Sequence, residues 1–317
     1  MCEEEFKIQL EWQSIIKEYL FYSESLNVSD NTLKVRKSLI NRFMKYCKML
    51  NCKSPHEVTR KIIRQFLVSQ RELGLSASYV NQMLIVIRSF FLFLVDEDYL
   101  DEDDNPTDKV RFLKKTKKVT QTFNDEEMKQ IIQVSGENGN KYVSNRNKMM
   151  VMMMADCGLR VNELVNLKDS DITNDRVFIE HGKGDKQRIV YVSTVLAKQI
   201  MKYRRIRNSY FANKSVVKRN LFFLGFGGEP IKNDGVQKML RRIENKIELR
   251  EDIRFSPHTF RHYFASSQLR NGADILTISR MLGHADLNTT QIYLSSIVDE
   301  ELLETAKRTS PLENLHR

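Results

Sequence analysis

The stretch SPHTFRHYFASSQLRNGADILTISRMLGHADLNTTQIY, residues 256–293, decides how this chain is read. Ser256 followed by Pro257 has the form of an N-cap and a first helical residue, and Phe260, Phe264 and Leu269 continue at roughly helical spacing. A helix is therefore expected to open at His258. His258 and Arg261 stand three apart, so their side chains leave one face, a turn from a helix N-terminus that itself attracts anions. Asn271 and Gly272 end this helix, Asp274 caps a second one through Met281, and Gly283 stops that one just before His284. A third short helix is expected from about Asn288 and carries Tyr293. Two histidines, an arginine and a tyrosine thus come from converging helix ends, where they can meet around one phosphate.

Working upstream, Arg146 to Cys157 reads as a very apolar helix, and its Met149, Met150, Met152, Met153 and Met154 are core filler rather than a metal box. Gly158 terminates it. Arg160 follows at a place where an arginine is ordinarily on the surface, yet it lies between a buried helix and the apolar LVNL of residues 164–167. Residues 176–179 and 187–192 are rich in β-branched residues and flank HGKGDK, which predicts a β-hairpin with Lys183 between two tip glycines. An exposed turn lysine is the ordinary reading of Lys183, and Lys186 competes with it. Helices are expected over 194–207 and 234–249, the second carrying Lys238, Arg241 and Arg242. Asn124 caps the helix that opens this half, with Asp125, Glu126 and Glu127 in its first turn.

The first hundred residues read as helix throughout: 6–23, 32–50 with Asp30 or Asn31 as cap, 57–73 ended by Gly74, and a very apolar fourth helix after Ser76. The second helix is basic outside its apolar stripe, with Lys34, Arg36, Lys37, Arg42, Lys45 and Lys48; a solvated face is the plain reading. Pro106 then breaks any helix, and Lys109, Arg111, Lys114, Lys115, Lys117 and Lys118 face one acid, Asp108, among few core-forming residues. A basic tether between two domains is expected there.

The bulk properties agree. At 317 residues the chain exceeds one ordinary domain and suits two, and 41% hydrophobic with 29% charged residues is the balance of a folded globular protein. A net charge of +10 favours a polyanionic partner. No apolar run near 18 residues is evident, so no membrane span is expected, and the acidic start MCEEEFKIQLEW lacks the apolar segment of a signal peptide. The expected location is cytoplasmic. Cys47, Cys52 and His56 lack a fourth partner for zinc, so they and the other cysteines, Cys2 and Cys157, are read as ordinary thiols.

Five fragments now carry a resemblance: GLR-x-x-E-L at 158–164, GKG-x-K-x-R at 182–188, HTFRH at 258–262, LGH at 282–284 and TTQIY at 289–293. Together they resemble the tyrosine recombinases, or phage integrase family, and most of all its Xer-like branch. The resemblance implies a mainly α fold with a small β-hairpin or sheet, in which an N-terminal helical core-binding (SAM-like) domain precedes a C-terminal mixed α/β catalytic domain. The corresponding boundaries are 1–104, a basic linker at 105–121, and 122–317.

It also implies a chemistry. Tyr293 would attack a phosphodiester of double-stranded DNA, forming a 3′-phosphotyrosyl bond and freeing a 5′ hydroxyl, with no ATP and no cofactor or metal. A phenol, with a pKa of about 10, needs help at neutral pH. Arg160 and Arg261 would stabilise the charge on the phosphorus oxygens, and His258 would be a general base or phosphate ligand. His284 would be a second hydrogen-bond donor, and Lys183 would protonate the leaving oxygen. Glu163 would orient Arg160 or a neighbouring base, while His262 and Tyr263 are expected to pack. Lys34, Arg36, Lys37, Lys114, Lys115, Lys117, Lys118, Arg241 and Arg242 become candidate DNA contacts.

The family acts as a homotetramer on two synapsed sites, close to the nucleoid. Residues 299–309, DEELLETAKRT, would dock as a helix on a neighbouring protomer or pack on their own. Because the sequence starts almost directly with the helical domain, a simple recombination site is expected, serving integration and excision of a mobile element or dimer resolution. Three rivals remain. A zinc hydrolase could use His258 and His262, but Thr259 stands where H-E-x-x-H needs Glu. The others are a type IB topoisomerase-like DNA-relaxing enzyme and a DNA-binding module with a degenerate site.

Overall fold

The computed structural model describes residues 12–114, 121–180, 187–214, 216 and 220–283. It is mostly helical, with one two-stranded antiparallel sheet, and the chain divides into two compact units, Met1–Lys117 and Lys118–Arg317.

The first unit is a bundle of α1 (Trp12–Ser25), α2 (Asp30–Met49), α3 (Arg60–Glu72) and α4 (Ala77–Asp96). Serine or threonine hydroxyls start three of them. Ser29 accepts from the backbone N–H of Thr32, Thr59 from Ile62 and Ser76 from Tyr79, each satisfying a donor that the first helical turn leaves unpaired. The cap of α2 is thus Ser29, one residue before the expected Asp30. The expected third helix is instead shortened: a single 3-10 turn, Pro55–Glu57, precedes it, and Thr59 sets its start. The centre is aromatic. Trp12 stacks on Phe90 at 6.2 Å and meets Phe43 edge-on, while its indole N–H donates to the Cys52 carbonyl at 3.1 Å. Cys47 and Cys52 are buried in this core, where burial pushes the Cys47 thiol up to about 12.

Two expectations for this half are corrected. α4 is a longer apolar run than the bare sequence suggested, enough by length and composition to cross a membrane, a test that the core helix of a folded bundle passes equally. Ten of its twenty residues are buried against the other helices, as in the central helix of a bundle. Residues 105–114 are no tether either. Asn105, Pro106, Thr107 and Val110 are buried, and the Asn81 side-chain amide donates to the Leu113 carbonyl at 2.9 Å and accepts from the Leu113 N–H at 2.8 Å. Arg88 donates to the Val110 carbonyl and lies over the Phe112 ring, 4.5 Å from its centroid. The segment folds because α4 presents an amide and a guanidinium that satisfy its backbone. Residues 115–120 lie outside the described residues.

The second unit is built around α6 (Lys141–Cys157). Against it pack α5 (Asp125–Ser135), α8 (Thr194–Tyr210) and α10 (Pro257–Arg270), with α7 (Val161–Asn166), α9 (Asn233–Glu244) and α11 (Ile275–Leu282) completing the unit. Met149, Met150, Met153 and Met154 of α6 are each at most 1% exposed, the core role expected of them. Asn124 opens α5 with a reciprocal capping box to Glu127. β1 (Arg176–Ile179) and β2 (Arg188–Tyr191) pair from Arg176 opposite Tyr191 to Ile179 opposite Arg188. The expected hairpin is present, and its tip, 181–186, lies outside the described residues. α9 stops at Glu244, five residues before the expected end.

Candidate active site

Gly158 is where the site begins. It ends α6 in the left-handed region, φ 59°, and a Cβ there would stand 2.6 Å from Phe264 and 3.1 Å from Leu282. Glycine therefore lets the chain turn sharply under α10 and α11, bury Leu159, and present Arg160 at the start of α7. One turn on, Glu163 reaches back to accept from the Arg160 backbone N–H at 2.7 Å. The same carboxylate accepts from the Arg160 guanidinium at 2.9 Å.

A residue absent from the expected set completes this arrangement. Arg188, the first residue of β2, grips Glu163 with both terminal nitrogens, at 2.8 and 2.6 Å. Its side chain is 6% exposed and that of Glu163 is 3%, while that of Arg160 is 23%. Burial alone would raise the Glu163 pKa, but the hydrogen bonds and charge of Arg188, with those of Arg160, outweigh it and hold the carboxyl below its ordinary value. Strand periodicity contained the missing signal. Arg188 shares a face with Val190, both pointing into the core, an anomaly for an arginine unless a buried partner waits for it.

α10 supplies His258 and Arg261. Ser256 sits at the N-cap position as expected, but its hydroxyl lies 3.0 Å from the Thr259 hydroxyl and makes no capping bond. Arg261 is buried, and its guanidinium donates to the Gly158 carbonyl at 2.6 Å and to the Leu282 carbonyl. His258 reaches solvent one turn earlier. Partial desolvation, then the charges of Arg261, Arg254 and Arg160, lower its pKa. His262 is pushed down to about 4, first by burial and then by His258 and Arg261. The Tyr263 hydroxyl donates to Asp125 at 3.0 Å, tying α10 to the start of α5, and burial is the main cause that raises its pKa to about 12. The positive charges that lower both histidines would also repel a divalent metal seated on the His258–His262 pair.

These strands of geometry meet at the end of α11. Asp274 caps its start, accepting from Thr277, and Gly283 ends it with φ 63°, as the sequence predicted. The carbonyls at that end are taken by three arginines: Met281 by Arg188 at 2.9 Å, Leu282 by Arg261, and Gly283 by Arg160 at 3.3 Å. Guanidinium groups suit the negative end of a helix, and here they fix the last residues before His284. Arg160 has committed two of its five N–H donors among the described residues.

Lys183, Lys186, His284 and Tyr293 lie outside the described residues, as does the 299–309 segment. Among the candidate DNA contacts, Lys34, Lys37, Lys114, Arg241 and Arg242 are exposed, whereas Arg36 turns inward, donating to Ser23 at 2.7 Å and lying over the Tyr19 ring. Lys115, Lys117 and Lys118 are among the undescribed residues.

Residues 121–299 match the phage integrase family and residues 16–98 the phage integrase N-terminal SAM-like domain. The chain belongs to the phage integrase family. It is 31% identical over 275 residues to the tyrosine recombinase XerD of Halalkalibacterium halodurans, covering 86% of this chain and 89% of that one. With XerD of Staphylococcus haemolyticus it shares 28% over 283 residues, 89% and 93% of the two chains. In fold it is similar to the XerH site-specific recombinase solved in a post-cleavage complex with palindromic difH substrate. That likeness has a TM-score of 0.71 and 22% identity, covering 98% of each chain. The Tn1549 transposon integrase bound to circular intermediate DNA gives 0.73 and 17%, covering 93% of this chain and 99% of that one.

Proposed function

We propose that this protein is a site-specific DNA recombinase that cleaves and rejoins double-stranded DNA through a phosphotyrosyl intermediate. The observation that carries the reading is the arginine cluster at the end of α11. Arg160 and Arg188 share one carboxylate, Glu163, and Arg261 donates to the Gly158 and Leu282 carbonyls beside them, so three guanidinium groups gather at the end of α11, next to the helix that carries the exposed His258. A phosphodiester carries one negative charge, and a second develops as a nucleophile adds to phosphorus. Fixed guanidinium groups stabilise that increase without reorganising.

In this reading Tyr293 attacks, the 3′ phosphate is held on tyrosine, and the 5′ hydroxyl leaves. Arg160 and Arg261 take the non-bridging oxygens, His258 accepts a proton or binds phosphate, His284 donates a hydrogen bond, and Lys183 protonates the leaving oxygen. One phosphodiester replaces another of similar energy, so the reverse step reseals the strand and no metal or cofactor is called for. The N-terminal unit serves as the core-binding domain, with Lys34, Lys37 and Lys114 available to phosphates on one part of the duplex and Arg241 and Arg242 on another. A homotetramer on two synapsed sites, in the cytoplasm, is the assembly this chemistry serves.

The polarity of the bond tests the reading. Duplexes selected by the protein from a random-sequence pool are nicked beside the cleavage position and labelled at one end or the other of the cleaved strand. The 5′ end label is expected to stay with the protein, and EDTA to leave the yield unchanged. Adduct carrying the 3′ end label, or loss of cleavage in EDTA, would contradict it.

A further inference from the structure

We propose that Arg188 is a positioning residue for the reaction: by gripping Glu163 with two parallel bonds and the end of α11 with a third, it sets where the Arg160 guanidinium points. The inference rests on the recombinase reading above and goes beyond it, since Arg188 itself touches no substrate.

Three observations carry it. First, Glu163 would otherwise be free to form a two-bond pair with Arg160, the geometry that carboxylate and guanidinium prefer. Arg188 occupies that role instead, with Nη1 on Oε1 at 2.8 Å and Nη2 on Oε2 at 2.6 Å. Glu163 is left with one side-chain bond to Arg160, on Oε1 at 2.9 Å. Arg160 is thereby held at one edge and keeps donors for a phosphate. Second, the two arginines differ in exposure as their roles require, Arg188 being 6% exposed at its side chain and Arg160 23%. Third, the Arg188 Nε bonds the Met281 carbonyl at 2.9 Å, two residues before the Gly283 carbonyl that takes the other end of Arg160. Both anchors of the Arg160 guanidinium, Glu163 and Gly283, therefore lean on Arg188. The site is tight, since a Cβ on Gly283 would stand 3.0 Å from the Arg188 side chain.

A lysine could match the charge at position 188 but not the two parallel bonds and the third to Met281. The test uses the full-length chain and the selected nicked duplex described above, measuring the single-turnover rate of adduct formation, the duplex Kd and the thermal midpoint. Arg188→Lys and Arg188→Gln are each expected to slow adduct formation on the order of 10²-fold, the effect of misplacing a catalytic group by about 1 Å. Duplex Kd is expected to change less than about twofold, because the lost group reads no DNA.

The decisive readout is the pairing with Arg160→Ala. If Arg188 acts through Arg160, adding Arg188→Lys to Arg160→Ala slows the reaction no more than about twofold further. Losses that multiply, or an Arg188→Lys protein at the wild-type rate, would overturn the inference. Should Arg188→Gln fail to fold, Arg188→Lys carries the measurement alone. If the wild-type chain itself formed no adduct, the recombinase reading would fail first, a result distinct from wild-type adduct with indifferent Arg188 variants.

Discussion

At the scale of single residues, two histidines four apart in α10 have been given different environments. His262 is half-buried and its pKa lies at about 4, so it stays neutral at working pH and packs. His258 reaches solvent, and desolvation together with Arg261, Arg254 and Arg160 lowers its pKa from the ordinary value near 6.5. A lowered histidine pKa means the neutral ring is favoured in the folded protein, so the base is available at pH 7 and is lost only as pH falls below that ordinary value. The acid limb of the kcat/KM-type profile of adduct formation should therefore have its midpoint below the ordinary histidine value near 6.5. His258→Gln should remove that limb along with most of the rate; a midpoint above that ordinary value in the wild type would contradict the assignment. Local spacing was enough to put His258 and Arg261 on one helix, whereas Arg160, beside a helix-ending glycine, stood out only through its resemblance to a family motif. Arg188 was not legible, because its partner Glu163 is 25 residues away and only the folded hairpin brings them together.

At the scale of elements, the starts of α4, α5 and α11 were legible, since the side-chain oxygen of Ser76, Asn124 or Asp274 before an apolar run has one physical use, whereas α6 opens at Lys141 on an Asn140 cap, five residues before the expected Arg146. The end of α9 was less legible: nothing in Asn245 to Leu249 announces the turn, and Ile247 and Leu249 still pack against the core. Gly158 is the element boundary on which the site depends. Gly158→Ala would put a side chain in the left-handed region, costing about 1–2 kcal/mol, and against Phe264, adding about 1–3 kcal/mol of overpacking. The expected result is a lower denaturation midpoint with a proportionally larger loss of adduct rate, because Arg160 and the Gly158 carbonyl that holds Arg261 move with it. A variant of wild-type stability would show that the turn tolerates a Cβ.

At the scale of the whole molecule, two compact units were legible from length and from the basic, proline-broken stretch between two helical patterns. The packing of 105–114 onto the first unit was not, because its stabilising groups, Asn81 and Arg88, lie in the middle of an apolar helix where polar residues ordinarily count as exceptions. A fragment ending at residue 114 should accordingly be more resistant to urea than one ending at 104, by at least the about 1.5–3 kcal/mol of burying Val110. Equal midpoints would return the segment to a tether. The reaction itself belongs to this scale too, since its parts come from both ends of the catalytic unit. Its most direct test is a denaturing gel of wild type and Tyr293→Phe after incubation with the selected nicked duplex. The wild type should accumulate a covalent protein–DNA species and Tyr293→Phe none, while adduct at the wild-type level from Tyr293→Phe would contradict the account.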